Sequence, residues 1–479
     1  MSRASARTVG FRSERGPILM SMMLSLGLIA IDATVLATAV PAIVKELGHF
    51  GQFPWLFSSY LLGQAVTTPV YGKLADMYGR RPLMLLGIAV FLIGSILCAL
   101  AWNMAALIVF RAIQGIGAGG VQPMAMTIIG DIYTVAERAK VQGYLSSVWA
   151  GGSILGPTLG GAFAQLGIWR GIFLINIPLC FIAVWMLMRH YRESFEHHRP
   201  KVDYLGATLL MAAMTAVILA ILNGGHTWPW NSNASIAAFS LGALLLICFV
   251  AVERRAPHPI LPLWVFSQRL LVTTTIVALG VGAIVMGLTS YVPTYLAGSL
   301  AVKPVFAGLT VAMLTIGWQA TAIVAGFFYL RWGFKKTAAG GIALALIGLS
   351  TLVAVADNPQ IVKIAAVCFL IGGGLGLVSP PSLIAAQSSV DWDKRGAVTG
   401  TNIFARALGS AVGVAVFGAV GNAVFGPGDV HSLSPALIET GSRAVFIGVL
   451  VAAVVTALAI AAMPGHPNLD HNTTSVITR

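Results

Sequence analysis

Apolar runs, each closed by a short polar stretch, recur along almost the whole chain. They lie at 17–40, 52–71, 83–101, 105–128, 142–165, 171–188, 204–222, 235–252, 271–297, 305–329, 338–356, 361–384, 397–424 and 442–463. The hydrocarbon core of a bilayer takes about 20 apolar residues per helical span. A helix also satisfies its own backbone donors and acceptors where no water can. The pattern therefore predicts an all-α polytopic membrane protein with fourteen transmembrane helices. The first run, Pro17 to Val40, is too long for a signal-peptide core and lacks a small-residue cleavage site, so it reads as an uncleaved span.

Charge placement sets the orientation. With the N-terminus inside, the inner segments hold Arg3, Arg7, Arg12 and Arg15, then Lys73, Arg80 and Arg81, then Arg138 and Lys140. Further along they hold Arg189, Arg192, Arg199, Lys201, Arg254, Arg255, Arg269, Arg331, Lys335, Lys336, Lys394, Arg395 and Arg479. Lys45, Arg170, Lys303, Lys363 and Arg443 fall outside, and Arg111 and Arg406 stay within spans. Such a bias toward the inner loops is the positive-inside pattern, and an even span count puts the C-terminus inside as well. Composition agrees with a membrane chain: 9% of residues are charged, against about 25% in soluble domains, and mean hydropathy is +0.86. The net charge of +13 is spread through short loops and forms no patch, which argues against a nucleic-acid partner. The 53 glycines suit close packing of membrane helices. Cys98, Cys180, Cys248 and Cys368 all sit in apolar runs and read as buried small hydrophobes.

A weak repeat divides the chain. Gly72-Lys-Leu-Ala-Asp-Met-Tyr-Gly-Arg-Arg81 follows the second run, and Gly326-Phe-Phe-Tyr-Leu-Arg-Trp-Gly-Phe-Lys335 follows the tenth. The expected organisation is 6+2+6: a cytosolic tail at 1–16, a six-helix bundle at 17–200, an inserted pair at 201–256, a second bundle at 257–465 and a cytosolic tail at 466–479. Parallel repeats of this kind are a transporter feature.

One acid, Asp32, lies deep in the first span. An ionised carboxylate there costs about 2.5 kcal/mol on insertion scales. Asp32 precedes Pro41 by nine residues, which places it roughly 13 Å below the outer face. Arg111 lies roughly 10 Å deep in the fourth span on the same arithmetic. The expectation is that Arg111 is near enough to tune the Asp32 carboxylate, and that Arg406, near the midplane of the thirteenth span, carries further charge. No histidine lies mid-span, which argues against a histidine relay. No phosphate loop, metal-ligand cluster or hydrolase elbow is present in the sequence, so neither ATP-driven transport nor enzymology is supported, and no cofactor or metal is expected.

The motif Gly72-Lys-Leu-Ala-Asp-Met-Tyr-Gly-Arg-Arg-Pro82 resembles the loop between spans 2 and 3 of the major facilitator superfamily. Gly72 and Gly79 allow a tight turn, Asp76 can pair with a cation or a helix N-terminus, and Arg80 and Arg81 stay cytosolic. The resemblance implies a conformational latch. Arg111-Ala-Ile-Gln-Gly-Ile-Gly-Ala-Gly-Gly120 resembles the family's fourth-span motif. Gly152-Ser-Ile-Leu-Gly-Pro-Thr-Leu-Gly-Gly161, with Gly152, Gly156, Pro157, Gly160 and Gly161, resembles the antiporter motif of its exporters. Three stretches resemble the fourteen-helix drug/proton antiporters of the EmrB/QacA type: Ile31 to Pro41, Trp169-Arg-Gly-Ile-Phe-Leu-Ile-Asn-Ile-Pro178, and Thr399 to Gly413 with its Arg406. The fifth span lacks the second membrane acid that some exporters carry.

The resemblance covers roughly 17–465 and implies proton-coupled efflux of amphipathic or cationic small molecules by alternating access. Asp32 is then the protonation site, with Arg111 and Arg406 assisting. Tyr60, Gln64, Gln122, Trp149, Tyr291, Tyr295, Trp318, Gln319, Gln387, Asn402 and Phe404 sit on spans that line the central cavity in this family, where aromatic and amide groups suit a promiscuous pocket. Drug-like molecules, protons and the bilayer are the implied partners. The implied setting is a monomer in the bacterial inner membrane, with room for a periplasmic adaptor protein. Two other readings stay open: a dedicated exporter of one endogenous metabolite or lipid, and an uncoupled membrane receptor or lipid-handling scaffold.

Overall fold

The computed structural model describes residues 9–48, 54–193, 203–223, 228–229, 231–256, 263–300, 302, 304–425 and 435–465. Residues 1–8 and the expected tail 466–479 lie outside the described residues, as do Arg199, Lys201 and Lys303 of the charge pattern. The described residues are almost wholly α-helical. The helices are α1 (Gly16–Leu47), α2 (Pro54–Tyr78), α3 (Arg80–Ala99), α4 (Met104–Ile132), α5 (Val135–Gln165), α6 (Gly171–Leu174) and α7 (Asn176–His190). There follow α8 (Tyr204–Asn223), α9 (Asn233–Glu253), α10 (Arg269–Leu300), α11 (Pro304–Trp332), α12 (Phe334–Ala354), α13 (Ile361–Ser388), α14 (Arg395–Phe425) and α15 (Pro435–Ala462). Among the described residues, 11 helical stretches are long and apolar enough to cross a membrane, so the chain is a multi-pass membrane protein.

Local chemistry explains several boundaries. Asn103 caps α4, its side chain accepting from the Ala106 N–H at 2.7 Å. Thr134 and Glu137 form a reciprocal capping box at the start of α5. The expected sixth span is interrupted between α6 and α7, just before Pro178, which has no N–H to continue the ladder. Cys248 departs from the buried reading and is exposed, whereas Cys98, Cys180 and Cys368 are buried.

The chain clusters into two compact units. The first comprises Met1–Met211, Phe249–Pro262 and Val390–Thr401, and the second Ala212–Cys248, Leu263–Ser389 and Asn402–Arg479. In the first unit α1 packs on α5 and α7, and α4 on α2 and α3. In the second, α10 packs on α15, and α13 on α11 and α12. The two units use the same devices at matched places. A Cβ on Gly115 of α4 would stand 2.1 Å from the Tyr60 carbonyl oxygen, and one on Gly372 of α13 1.9 Å from that of Leu314. Thr67 donates across to the Ile116 carbonyl, and Thr321 to that of Gly373. Gly79 and Gly333 immediately precede α3 and α12 with φ of 92° and 82°, a conformation that favours glycine.

Candidate functional site

The Asp32 carboxylate lies in the interior of the first unit and is 1% exposed. Arg111 donates from Nη1 to its Oδ2 at 2.6 Å. Gln114 Nε2 donates to Oδ1 at 2.8 Å, and Asn176 Nδ2 to the same oxygen at 3.3 Å. Gln114 also accepts from Arg111 Nη1 at 2.7 Å. The Ser95 hydroxyl accepts from Asn176 Nδ2 at 2.9 Å and donates to the Phe173 carbonyl. Arg111 completes its shell with the Leu56 carbonyl at 3.1 Å and the Tyr60 ring, 4.2 Å from its Cζ. Four helices (α1, α3, α4 and α7) thus each deliver a polar side chain to one point. A buried ion pair holds its desolvation cost only when the remaining polar atoms are also satisfied, and here the carboxylate has three donors.

Sequence reasoning named Asp32 and Arg111 but missed Gln114, Asn176 and Ser95. Gln114 stands one turn after Arg111, so helical spacing puts both on one face. Asn176 belongs to the Trp169–Pro178 stretch already quoted for its resemblance. Ser95 gave no signal beyond a polar residue in an apolar run. Tyr60, expected as a pocket residue, is buried beneath Arg111 instead. The second unit carries no matching network among the described residues. The positions matched through the glycine contacts are Val281, Leu349, Cys368 and Ile371, all in its apolar core.

Between α2 and α3, Gly72 to Tyr78 continue α2 as helix, so only Gly79 makes the turn that both glycines were expected to share. Gly72 serves close approach: a Cβ there would meet the Gly396 carbonyl oxygen at 2.6 Å. Asp76 accepts from the Gly396 and Ala397 N–H groups in the first turn of α14, at 2.9 and 2.7 Å, a favourable place for an anion. Arg80 is fully buried. It pairs with Asp76 at 2.9 Å and Asp131 at 3.2 Å, and its Cζ lies 3.7 Å from the centre of the Trp392 ring. Arg81 bonds the Met188 carbonyl. Glu193 receives the Arg80 and Arg81 N–H groups at 2.8 and 2.9 Å, capping α3 from outside it.

At the C-terminal end of α1 Trp169 donates to Glu46 at 2.6 Å, and Arg170 pairs with the same carboxylate. The Arg170 and Trp169 hydrogen bonds hold the Glu46 carboxyl below its ordinary value.

In the stretch Gly152 to Gly161, Gly152 and Gly156 abut Ala30 and Thr34 of α1, and Thr34 donates to the Gly152 carbonyl at 2.9 Å. Gly160 is buried in α5, and Gly161 has open space where a Cβ would go. Pro157 lies in α5, outside the residues whose side chains are described. Gln64 donates to Gln122 at 2.9 Å within the first unit, where Trp149 is half-buried. In the second unit Asn402 donates to the Thr274 carbonyl. There Tyr295 donates to the Ala356 carbonyl, and Gln387 and Phe404 are buried. Tyr291, Trp318, Gln319 and Arg406 are half-buried. No group of three His, Cys, Asp or Glu with metal-binding geometry occurs among the described residues.

Residues 22–414 match the Major Facilitator Superfamily. The chain is 34% identical over 410 residues to Multidrug resistance protein 3 of Bacillus subtilis, covering 85% of this chain and 80% of that one. It is 32% identical to Multidrug transporter protein MdtP of the same organism, over 86% and 76% of the two chains. Among solved structures it is similar to the human organic anion transporter MFSD10 (TM-score 0.65, 16% identity, 93% of this chain and 99% of that one). It is also similar to the proton:xylose symporter XylE (TM-score 0.62, 15% identity, 91% and 94%). At these identities the two structures bear on the fold alone.

Proposed function

The chain belongs to the Major Facilitator Superfamily, a family of transporters and not of enzymes, and we propose that it is a proton-coupled exporter of amphipathic small molecules in which Asp32 is the protonation site. The observation that carries this reading is a carboxylate buried at membrane depth and held by Arg111, Gln114 and Asn176. Such a group is expensive in lipid and marks ion pathways and proton relays. The names of the two Bacillus relatives support export of drug-like molecules.

In the proposed cycle a proton from outside neutralises Asp32. Arg111 and Gln114 then lose the charge they hold and the network rearranges. Protonation biases the equilibrium between outward- and inward-open states, so proton and cargo are linked through a shared conformational change. Asp76, Arg80 and the first turn of α14 act as the latch of one state, with Gly72, Gly79 and Arg81 shaping it. The fourteen-span 6+2+6 arrangement, cytosolic termini, bacterial inner membrane and monomeric state complete the proposal.

The test is substrate-induced proton release from the purified protein, wild type against Asp32→Asn. The wild type releases protons and the variant does not. Undiminished release from Asp32→Asn, with the same cargo bound, would overturn the assignment.

A further inference from the structure

α14 carries Arg406 eleven residues past its start and nineteen before its end. These are roughly 16 and 28 Å of helix, beyond the reach of its side chain to either end. Its polar neighbours are committed elsewhere. Asn402, one turn before, bonds the Thr274 carbonyl, and Ser410, one turn after, bonds the Gly282 carbonyl. The described acids of the second unit are Asp357 and Glu439. Asp357 pairs with Arg443 at 2.6 Å, and Glu439 sits in the first turns of α15. Asp429 and Asp470 fall beyond the ends of α14 and α15 in sequence. No described residue gives the Arg406 guanidinium a carboxylate, carbonyl or hydroxyl oxygen.

Arg111 shows what this molecule does with a guanidinium it means to satisfy itself. That side chain has a carboxylate, an amide oxygen, a backbone carbonyl and an aromatic face. Arg406 has none of these among the described residues, and it is half-buried rather than sealed. An arginine at membrane depth faces a partner or a water-filled cavity. Its planar fork of N–H donors matches a carboxylate, sulfonate or phosphate better than any other group. Asp32 is meanwhile matched by Arg111, so the one acid deep in the spans is not free for a cationic cargo.

We propose that Arg406 is the seat for a negatively charged group on the transported molecule, which makes the cargo an amphipathic anion or zwitterion rather than a cation. This rests on the exporter reading and replaces the cationic class that the resemblance implies. Proton coupling through Asp32 is a separate claim.

Two dyes on the same three-ring scaffold, fluorescein (anionic) and rhodamine 123 (cationic), make the test. Binding is followed by fluorescence anisotropy to the full chain in nanodiscs of zwitterionic lipid, without a proton gradient. The wild type should bind fluorescein at least roughly 10-fold more tightly than rhodamine 123. Arg406→Gln should lose at least roughly 10-fold in fluorescein affinity, the scale of one hydrogen bond to a charged group, and leave rhodamine 123 unchanged or tighter. Arg406→Lys should retain an intermediate affinity for fluorescein. A wild type that prefers rhodamine 123, or an equal loss of both dyes in Arg406→Gln, overturns the proposal. The wild-type preference decides the matter even where Arg406→Gln does not fold. Because the readout is binding, it can fail while the proton-release test succeeds.

Discussion

Arg111 and Asp32 stabilise the bundle only as a pair. Arg111→Met leaves the buried Asp32 carboxylate with its two amide donors and no cation, and breaking one partner of a buried pair costs about 3–5 kcal/mol. Adding Asp32→Asn removes the stranded charge. The double variant should therefore melt at a higher temperature than Arg111→Met alone, and a lower melting point would show that the pair is not the source of the loss. Asn176→Leu removes one of the three Asp32 donors and the Ser95 contact. About 1–3 kcal/mol should be lost, the penalty for leaving buried polar atoms unmatched, and thermal unfolding in detergent would register it. The Glu46 clasp predicts a pH effect. Its folded carboxyl titrates below the ordinary value, so its stabilisation is present above that ordinary value and fades as pH falls through the lowered one. Glu46→Gln should melt below the wild type at pH 7, with the gap closing in acid. A gap independent of pH would remove the charge from the explanation.

Between elements, close approach rests on missing Cβ atoms. Gly115→Ala and Gly372→Ala would each push a methyl group into a neighbouring backbone carbonyl, at about 1–3 kcal/mol for overpacking. Gly161→Ala meets open space and should leave melting temperature and expression unchanged. Equal effects at the three sites would refute the packing argument. The helices themselves were legible in the sequence because the bilayer imposes a length on each apolar run. The boundary at Gly79 was legible as a glycine next to a basic pair. What the pattern could not tell was that Gly72 is helical, because glycine signals a turn and a close contact by the same letter.

For the whole molecule, two units with matched glycine and threonine contacts carry unmatched chemistry. The first holds the Asp32 network, and the second holds apolar side chains at the same places and an Arg406 with no partner among the described residues. The proposed topology expects reporters fused to both termini to be read as cytosolic; a periplasmic signal from one terminus alone would remove the fourteen-span count, and from both would reverse the orientation. The membrane class, the near-complete set of helices, the repeat and the two charged residues Asp32 and Arg111 were determined by the sequence alone. Lipid makes each of them conspicuous: apolar length and buried charge are local properties, readable one residue at a time. The tertiary structure alone decided that Gln114, Asn176 and Ser95 close around Asp32, that Tyr60 lies under Arg111, that Arg80 is buried and that Arg406 has no described partner. Those facts depend on which faces of separate helices meet. Amides, hydroxyls and rings leave no mark in a hydropathy pattern until packing brings them together.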